Sequence, residues 1–132
     1  MAAIKRRGAG PLDNQSGKEW FRQIQEAVSQ QIYYVATHPE ASLVSHDKAR
    51  AAIAVLFALE PMVEFPLTTY EDTISVLARL MQHPQWLAQW RHEDAVLEDL
   101  NRHIDKAERE RDRRLTGKPE RAFPTAWDRI RR

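Results

Sequence analysis

The five histidines are the main candidates for metal chemistry, because the sequence contains no cysteine. Asp99 and His103 stand four residues apart, so on a helix a carboxylate and an imidazole share one face. A zinc site needs at least one more protein ligand. His92 lies eleven residues before His103, about 16 Å away along a helix axis, and cannot supply it. We therefore expect no metal site and no cofactor.

Motifs for nucleophilic or phosphate chemistry are also missing from the sequence. There is no Gly-x-Ser-x-Gly and no Ser-x-x-Lys, and the four glycines form no phosphate-binding loop. Neighbouring carboxylates such as Glu98 and Asp99 point about 100° apart on a helix, so they do not form a proton-sharing pair. We expect a protein that is not an enzyme and has no catalytic residues.

Charged residues are unevenly distributed, although the net charge is only +1. Residues 61–100 carry two basic and seven acidic side chains, whereas residues 101–132 carry eleven basic and six acidic ones. Fifteen of the twenty basic residues are arginine, which makes bidentate contacts with carboxylate and phosphate. The pattern indicates either an electrostatic binding surface or a basic tail folded back onto an acidic middle.

Apolar residues at helical spacing predict the first two helices. The first begins at Ser16, a good N-cap, and ends before Pro39. The second begins at Ser45 and is apolar on almost every side between Ala49 and Leu59. A helix that is apolar all round is typically buried, so we expect this one to be the central helix. Its alanines would let neighbouring helices approach closely.

The third and fourth helices are predicted from caps and prolines. Thr68 and Glu71 have the spacing of a capping box, and this helix ends before Pro84. From Pro84 we expect one continuous helix to about Leu115, roughly 30 residues and 45 Å long. Its apolar seam stops at Ala107, so the charged stretch 108–114 is expected to project from the bundle or to fray. The predicted seam contains Trp86, Trp90, Glu93, Leu97, Leu100, Ile104 and Ala107.

These elements define the expected fold and domain organisation. We predict an all-α fold, a compact bundle of four main helices with an extended, partly charged fourth helix and a short C-terminal helix. The domains are a flexible basic arm (1–15), a helical bundle domain (16–116) and a basic Arg/Trp-containing C-terminal segment (117–132). The longest apolar run has nine residues and a membrane span needs about 20, so we expect a cytoplasmic protein with no membrane partner.

The overlong fourth helix and the arginine- and tryptophan-rich end favour a small non-enzymatic protein-interaction module. It would be an adaptor, a subunit of a larger assembly, or a homodimer that binds by self-association. The predicted partner-binding residues are Leu97, Leu100, Ile104, Arg111, Arg114, Trp127 and Ile130. Whether Trp86 and Trp90 belong to the core or to an interface stays open at this point.

The alternative is a nucleic-acid-associated protein that contacts the phosphate backbone non-specifically through its basic ends. The acidic residues interleaved in the tail weaken that effect. The candidate phosphate contacts are Lys5, Arg6, Arg7, Arg111, Arg113, Arg114, Arg121, Arg129, Arg131 and Arg132.

Overall fold

The computed structural model describes residues 10–117, and within this range the regular structure is entirely helical. The helices are α1 (Gln15–Thr37), α2 (Leu43–Leu59), α3 (Leu67–Met81), α4 (Pro84–Leu87) and α5 (Glu93–Thr116). The predicted all-α bundle with four main helices is confirmed. The predicted short C-terminal helix lies outside the described residues.

Helix α3 is at the centre of the bundle. It packs against α1, α2, α4 and α5, and six of its fifteen residues are buried. Helix α1 buries Phe21, Val28, Ile32 and Val35, which follow one another at the three-, four- and seven-residue steps of a single helical face. The core of the described chain therefore forms around α3, with α1 and α5 on its two sides.

Helix α2 is not the central helix, contrary to the prediction. Its buried residues, His46, Ala49, Ile53 and Leu56, form one narrow stripe. The opposite side of the helix is exposed, although it is apolar as well. The sequence correctly predicted that α2 is apolar on nearly every side. Only one side of the helix, however, is buried within the described chain.

The helix starts differ from the predicted N-caps. Asn14, not Ser16, caps α1, and its Oδ1 accepts the first-turn amide of Gly17 at 2.7 Å. Ser42 caps α2, because its Oγ accepts the amide hydrogen of Ser45 at 3.1 Å. Helix α3 begins directly after a proline without a side-chain cap, so the predicted capping box is not formed.

The predicted continuous fourth helix is interrupted, since residues 88–92 separate α4 from α5. No glycine or proline lies in this interval. The buried Trp86 ring is fixed instead by tertiary contacts, and its Nε1 donates to Asp47 Oδ1 at 2.8 Å. The Arg50 guanidinium lies 5.4 Å from the Trp86 ring centroid and 5.1 Å from that of Trp90. The helix therefore breaks where Trp86 and Trp90 contact α2, although no residue of the interval predicts a break.

The charged end of α5 neither projects nor frays, contrary to expectation. Helix α5 continues to Thr116, and Gly117 ends it with a positive φ of 65°, a conformation that suits glycine. The Arg114 guanidinium stacks 5.0 Å from the Tyr70 ring centroid and donates a hydrogen bond to the carbonyl of Phe65. These contacts hold the last turns of α5 against α3 and the segment that precedes it.

Candidate interaction surface

The apolar residues predicted to bind a partner from the fourth helix are used by the bundle itself. Leu100 is fully buried, so it is a core residue rather than a docking residue. Leu97 and Ile104 are half-buried and pack on the core. The seam of α5 therefore faces α3, and Trp127 and Ile130 lie outside the described residues.

The described arginines of the predicted binding sites are paired with carboxylates. Arg111 Nε lies 3.2 Å from Asp112 Oδ1, and Arg114 Nε lies 2.7 Å from Glu110 Oε2. Arg113 is hydrogen bonded to Glu110 as well. These ion pairs offset the positive charge that phosphate binding requires. The other candidate phosphate contacts lie outside the described residues: Lys5, Arg6, Arg7, Arg121, Arg129, Arg131 and Arg132.

A polar cleft of about 340 Å³ lies where α5 meets the α2–α3 connection. Its walls include Glu60, Tyr70, Glu110 and Arg114, and the Tyr70 hydroxyl donates to Glu60 Oε2 at 2.8 Å. Burial raises the pKa of Glu60, and the nearby Glu110 carboxylate adds to this rise. Burial opposes ionisation of Glu110 too, but hydrogen bonds from Arg113 and Arg114 hold its pKa below the ordinary value. The Glu110 carboxylate is thus paired with two arginines, whereas the Glu60 carboxylate accepts its hydrogen bond from the Tyr70 hydroxyl.

A second cluster joins α2, α4 and α5. Arg50 Nη2 donates to Asp99 Oδ2 at 2.9 Å while its guanidinium covers both tryptophan rings. Trp86 is a core residue, whereas Trp90 remains 39% exposed at the edge of the cluster. The structure thus places Trp86 in the core and Trp90 at its exposed edge.

The structure does bring together Asp99 and His103, the pair singled out as possible metal ligands. His103 Nδ1 lies 3.7 Å from Asp99 Oδ2, and its ring stacks on Phe57 at 5.1 Å between centroids. Burial lowers the pKa of His103; the Asp99 carboxylate opposes this shift, and Lys106 and Arg102 reinforce it. Within residues 10–117, no three histidine or carboxylate side chains are grouped in a way that could hold a metal ion.

Within residues 10–117, an apolar stripe along the outer side of α2 is left uncovered. Its larger members are exposed to 61% at Val44, 40% at Val55 and 46% at Met62, which lies in the turn after α2. Ala51 and Ala58, also exposed, fill the positions between them. Within α2, Val44, Lys48, Ala51, Val55 and Ala58 follow one another at alternating four- and three-residue steps, which is the spacing of a helix–helix seam.

A second exposed row lies on α1. Ser29 Oγ accepts a hydrogen bond from Thr69 Oγ1 at 3.2 Å, so this side of α1 faces α3. The opposite side of α1 carries Trp20, Ala27 and Tyr34 at steps of seven residues. All three are exposed. We define the α1–α2 face as Trp20, Ala27, Tyr34, Val44, Lys48, Ala51, Val55, Ala58 and Met62.

The α1–α2 face was not identified as a site from the sequence. Its signal was the apolar character of α2 on every side, which we interpreted as complete burial within one chain. Trp20 is a large aromatic residue on α1 that is likewise largely exposed. A helix with two apolar faces, one covered and one uncovered, has the same sequence pattern as a central helix.

Comparison with family models, with curated proteins and with solved structures finds no match for this chain. Over residues 10–117, none of the helices has the length and apolarity needed to cross a membrane.

Proposed function

We propose that this protein is a non-enzymatic protein-interaction module that binds its partner through the α1–α2 face, as an adaptor or as a subunit of an assembly. The observation that supports this proposal is the second apolar stripe of α2, which the described chain leaves uncovered. Contiguous exposed apolar surface commonly marks a site of association. The cytoplasmic location expected from the sequence stays a prediction.

The composition of the α1–α2 face supports association with protein. Tryptophan, tyrosine and methionine are enriched in protein interfaces, whereas charged residues are depleted from their centres. The face contains Trp20, Tyr34 and Met62, and Lys48 is its one charged residue. Residues 51–59 of α2 contain no charge at all. Covering residues 51–59 removes apolar area from water and buries no unpaired charge.

The docking site proposed here replaces the one predicted on the fourth helix. Leu100 is in the core, and Arg111 and Arg114 are paired with carboxylates of the same chain. These pairs also reduce the support for the nucleic-acid alternative, because a guanidinium already bound to a carboxylate gains less from a phosphate. That alternative now depends on the basic residues outside the described range.

Site-specific photocrosslinking tests the proposal directly. A benzophenone amino acid replaces Val55 in the full chain, and a matched variant carries it at Ser75, an exposed position on α3. Both variants are irradiated in cells of the organism that encodes the protein. We expect a covalent adduct of defined mass from the Val55 variant and none from the Ser75 variant. Equal labelling at both positions, or no adduct at Val55, would contradict the proposal.

A further inference from the structure

We infer that the partner on the α1–α2 face is a second copy of this chain, joined through antiparallel α2 helices about a twofold axis. This inference rests on the interaction function proposed above and specifies its partner. In a twofold dimer both copies present the same patch, so the patch must be complementary to itself. The stripe on α2 meets that condition in the size of its residues and in its charge.

Residue sizes are complementary when the two stripes run in opposite directions. The midpoint between Lys48 and Ala58 is at the level of Ile53, and an axis placed there overlaps the α2 stripe on itself. The facing pairs are then Lys48 with Ala58, and Ala51 with Val55 of the second copy. Each alanine faces a larger side chain, an arrangement that allows two helices to interdigitate closely.

Charge selects the antiparallel direction over the parallel one. Parallel α2 helices would bring Lys48 of one copy against Lys48 of the other, which is unfavourable. Antiparallel helices bring Lys48 to the carboxyl end of α2 in the second copy, where the helix dipole favours a cation.

A twofold dimer would need more surface than α2 alone presents. A stable interface covers roughly 800 Å² on each partner, and α2 alone, with 17 residues and a length of about 26 Å, offers a narrow stripe. Trp20 and Tyr34 broaden it with two exposed aromatic side chains. The outer side of α5 offers no equivalent surface, because it exposes charged residues such as Arg102 and Asp105.

Light scattering of the full chain during size exclusion gives the first test. We expect a dimer that dissociates on dilution and whose dissociation constant rises at least about tenfold in Val55→Glu, which places two carboxylates inside the interface. Ala51→Glu is a second variant with the same expectation. Ser75→Glu adds the same charge on exposed α3 and is expected to leave the dimer unchanged. Far-UV circular dichroism checks that each variant remains folded.

Disulfide trapping tests the direction of the helices, and the absence of native cysteine makes it clean. We expect an equimolar mixture of Lys48→Cys and Ala58→Cys to oxidise to the mixed disulfide. Neither variant should crosslink to itself, because ten residues of helix separate the two positions by about 15 Å, beyond the reach of a disulfide. A disulfide between two copies of the Lys48→Cys variant, in place of the mixed one, would overturn the antiparallel arrangement.

The outcomes separate this inference from the proposed function. A chain that stays monomeric at several hundred micromolar overturns the second copy as partner, and so does a dimer that Val55→Glu and Ala51→Glu leave intact. If the monomeric chain still forms a Val55-specific photoadduct with a different protein, the proposed function stands without the dimer. If there is neither a dimer nor an adduct, both are wrong.

Discussion

The Arg50 guanidinium on α2 is hydrogen bonded to the Asp99 carboxylate on α5 at 2.9 Å, across 49 residues of sequence. The same guanidinium lies 5.4 and 5.1 Å from the ring centroids of two tryptophans. Burial opposes ionisation of Asp99, but the hydrogen bond from Arg50 and the surrounding positive charges hold its pKa below the ordinary value. One side chain thus joins α2, α4, the break after α4, and α5.

Replacing Arg50 is therefore expected to destabilise the bundle. Arg50→Met keeps most of the apolar stem but removes the ion pair and both cation–π contacts, at a cost of about 1 to 3 kcal/mol in the free energy of unfolding. Arg102→Met is the matched control, because Arg102 contacts the same carboxylate at 3.2 Å but is 64% exposed. Its cost should stay below about 1 kcal/mol. Urea unfolding measures both, and equal costs would contradict this view of Arg50.

Arg79 is expected to stabilise the end of α1 from α3. Its two terminal nitrogens donate to the carbonyl oxygens of Val35 at 2.6 Å and Ala36 at 3.0 Å, which lie in the last turn of α1. Arg79→Met should cost about 1 to 3 kcal/mol, because charged hydrogen bonds to helix-terminal carbonyls are lost. The exposed Arg91 provides a control substitution to methionine with little effect. Chemical denaturation distinguishes the two, and a neutral Arg79→Met would show that water replaces these bonds.

His103 makes the stability of the bundle depend on pH. Its pKa is lowered from 6.5 by burial, so between the folded-state value and 6.5 the unfolded chain binds more protons than the folded chain. Stability is therefore complete above pH 6.5 and is lost as the pH falls through this window. His103→Gln should flatten that slope, whereas substitution of the exposed His92 should not. The free energy of unfolding measured from pH 5 to 8 for each variant tests the difference.

Glu60 makes stability depend on pH in the opposite direction to His103. Burial and the Glu110 carboxylate raise its pKa above 4.5, so the folded chain binds more protons there than the unfolded chain. Stability then falls as the pH rises from 4.5 through the folded-state value. Glu60→Gln keeps an acceptor for the Tyr70 hydroxyl but no charge, and we expect it to be more stable than wild type at pH 7. The advantage should disappear in acid, and an advantage that persists at pH 4 would assign it to packing.

The sequence predicted the helices where local signals and tertiary packing agree. The pair His38–Pro39 ends α1 where the sequence predicts, and His38 Nδ1 hydrogen bonds to the carbonyl of Tyr34 at 2.8 Å. His83 caps the start of α4, because its Nδ1 accepts the amide hydrogen of Trp86 at 3.1 Å.

The remaining differences arise from contacts between residues distant in sequence. The break after α4 occurs where Trp86 and Trp90 contact α2. The helix propensity of these two residues does not predict the break. The α1–α2 face was hidden for a related reason. Val44 and Val55 have the same residue types and spacing as core residues, and a pattern of residue types does not state whether the cover comes from the same chain.

The central position of α3 has a consequence for amide hydrogen exchange. Since α3 packs against every other helix of the described chain, no neighbour can detach without exposing part of its buried face. Amides around Val76 and Leu77 should thus exchange only through global opening of the bundle. The slowest exchange rates in α3 then give the global stability of the fold under native conditions.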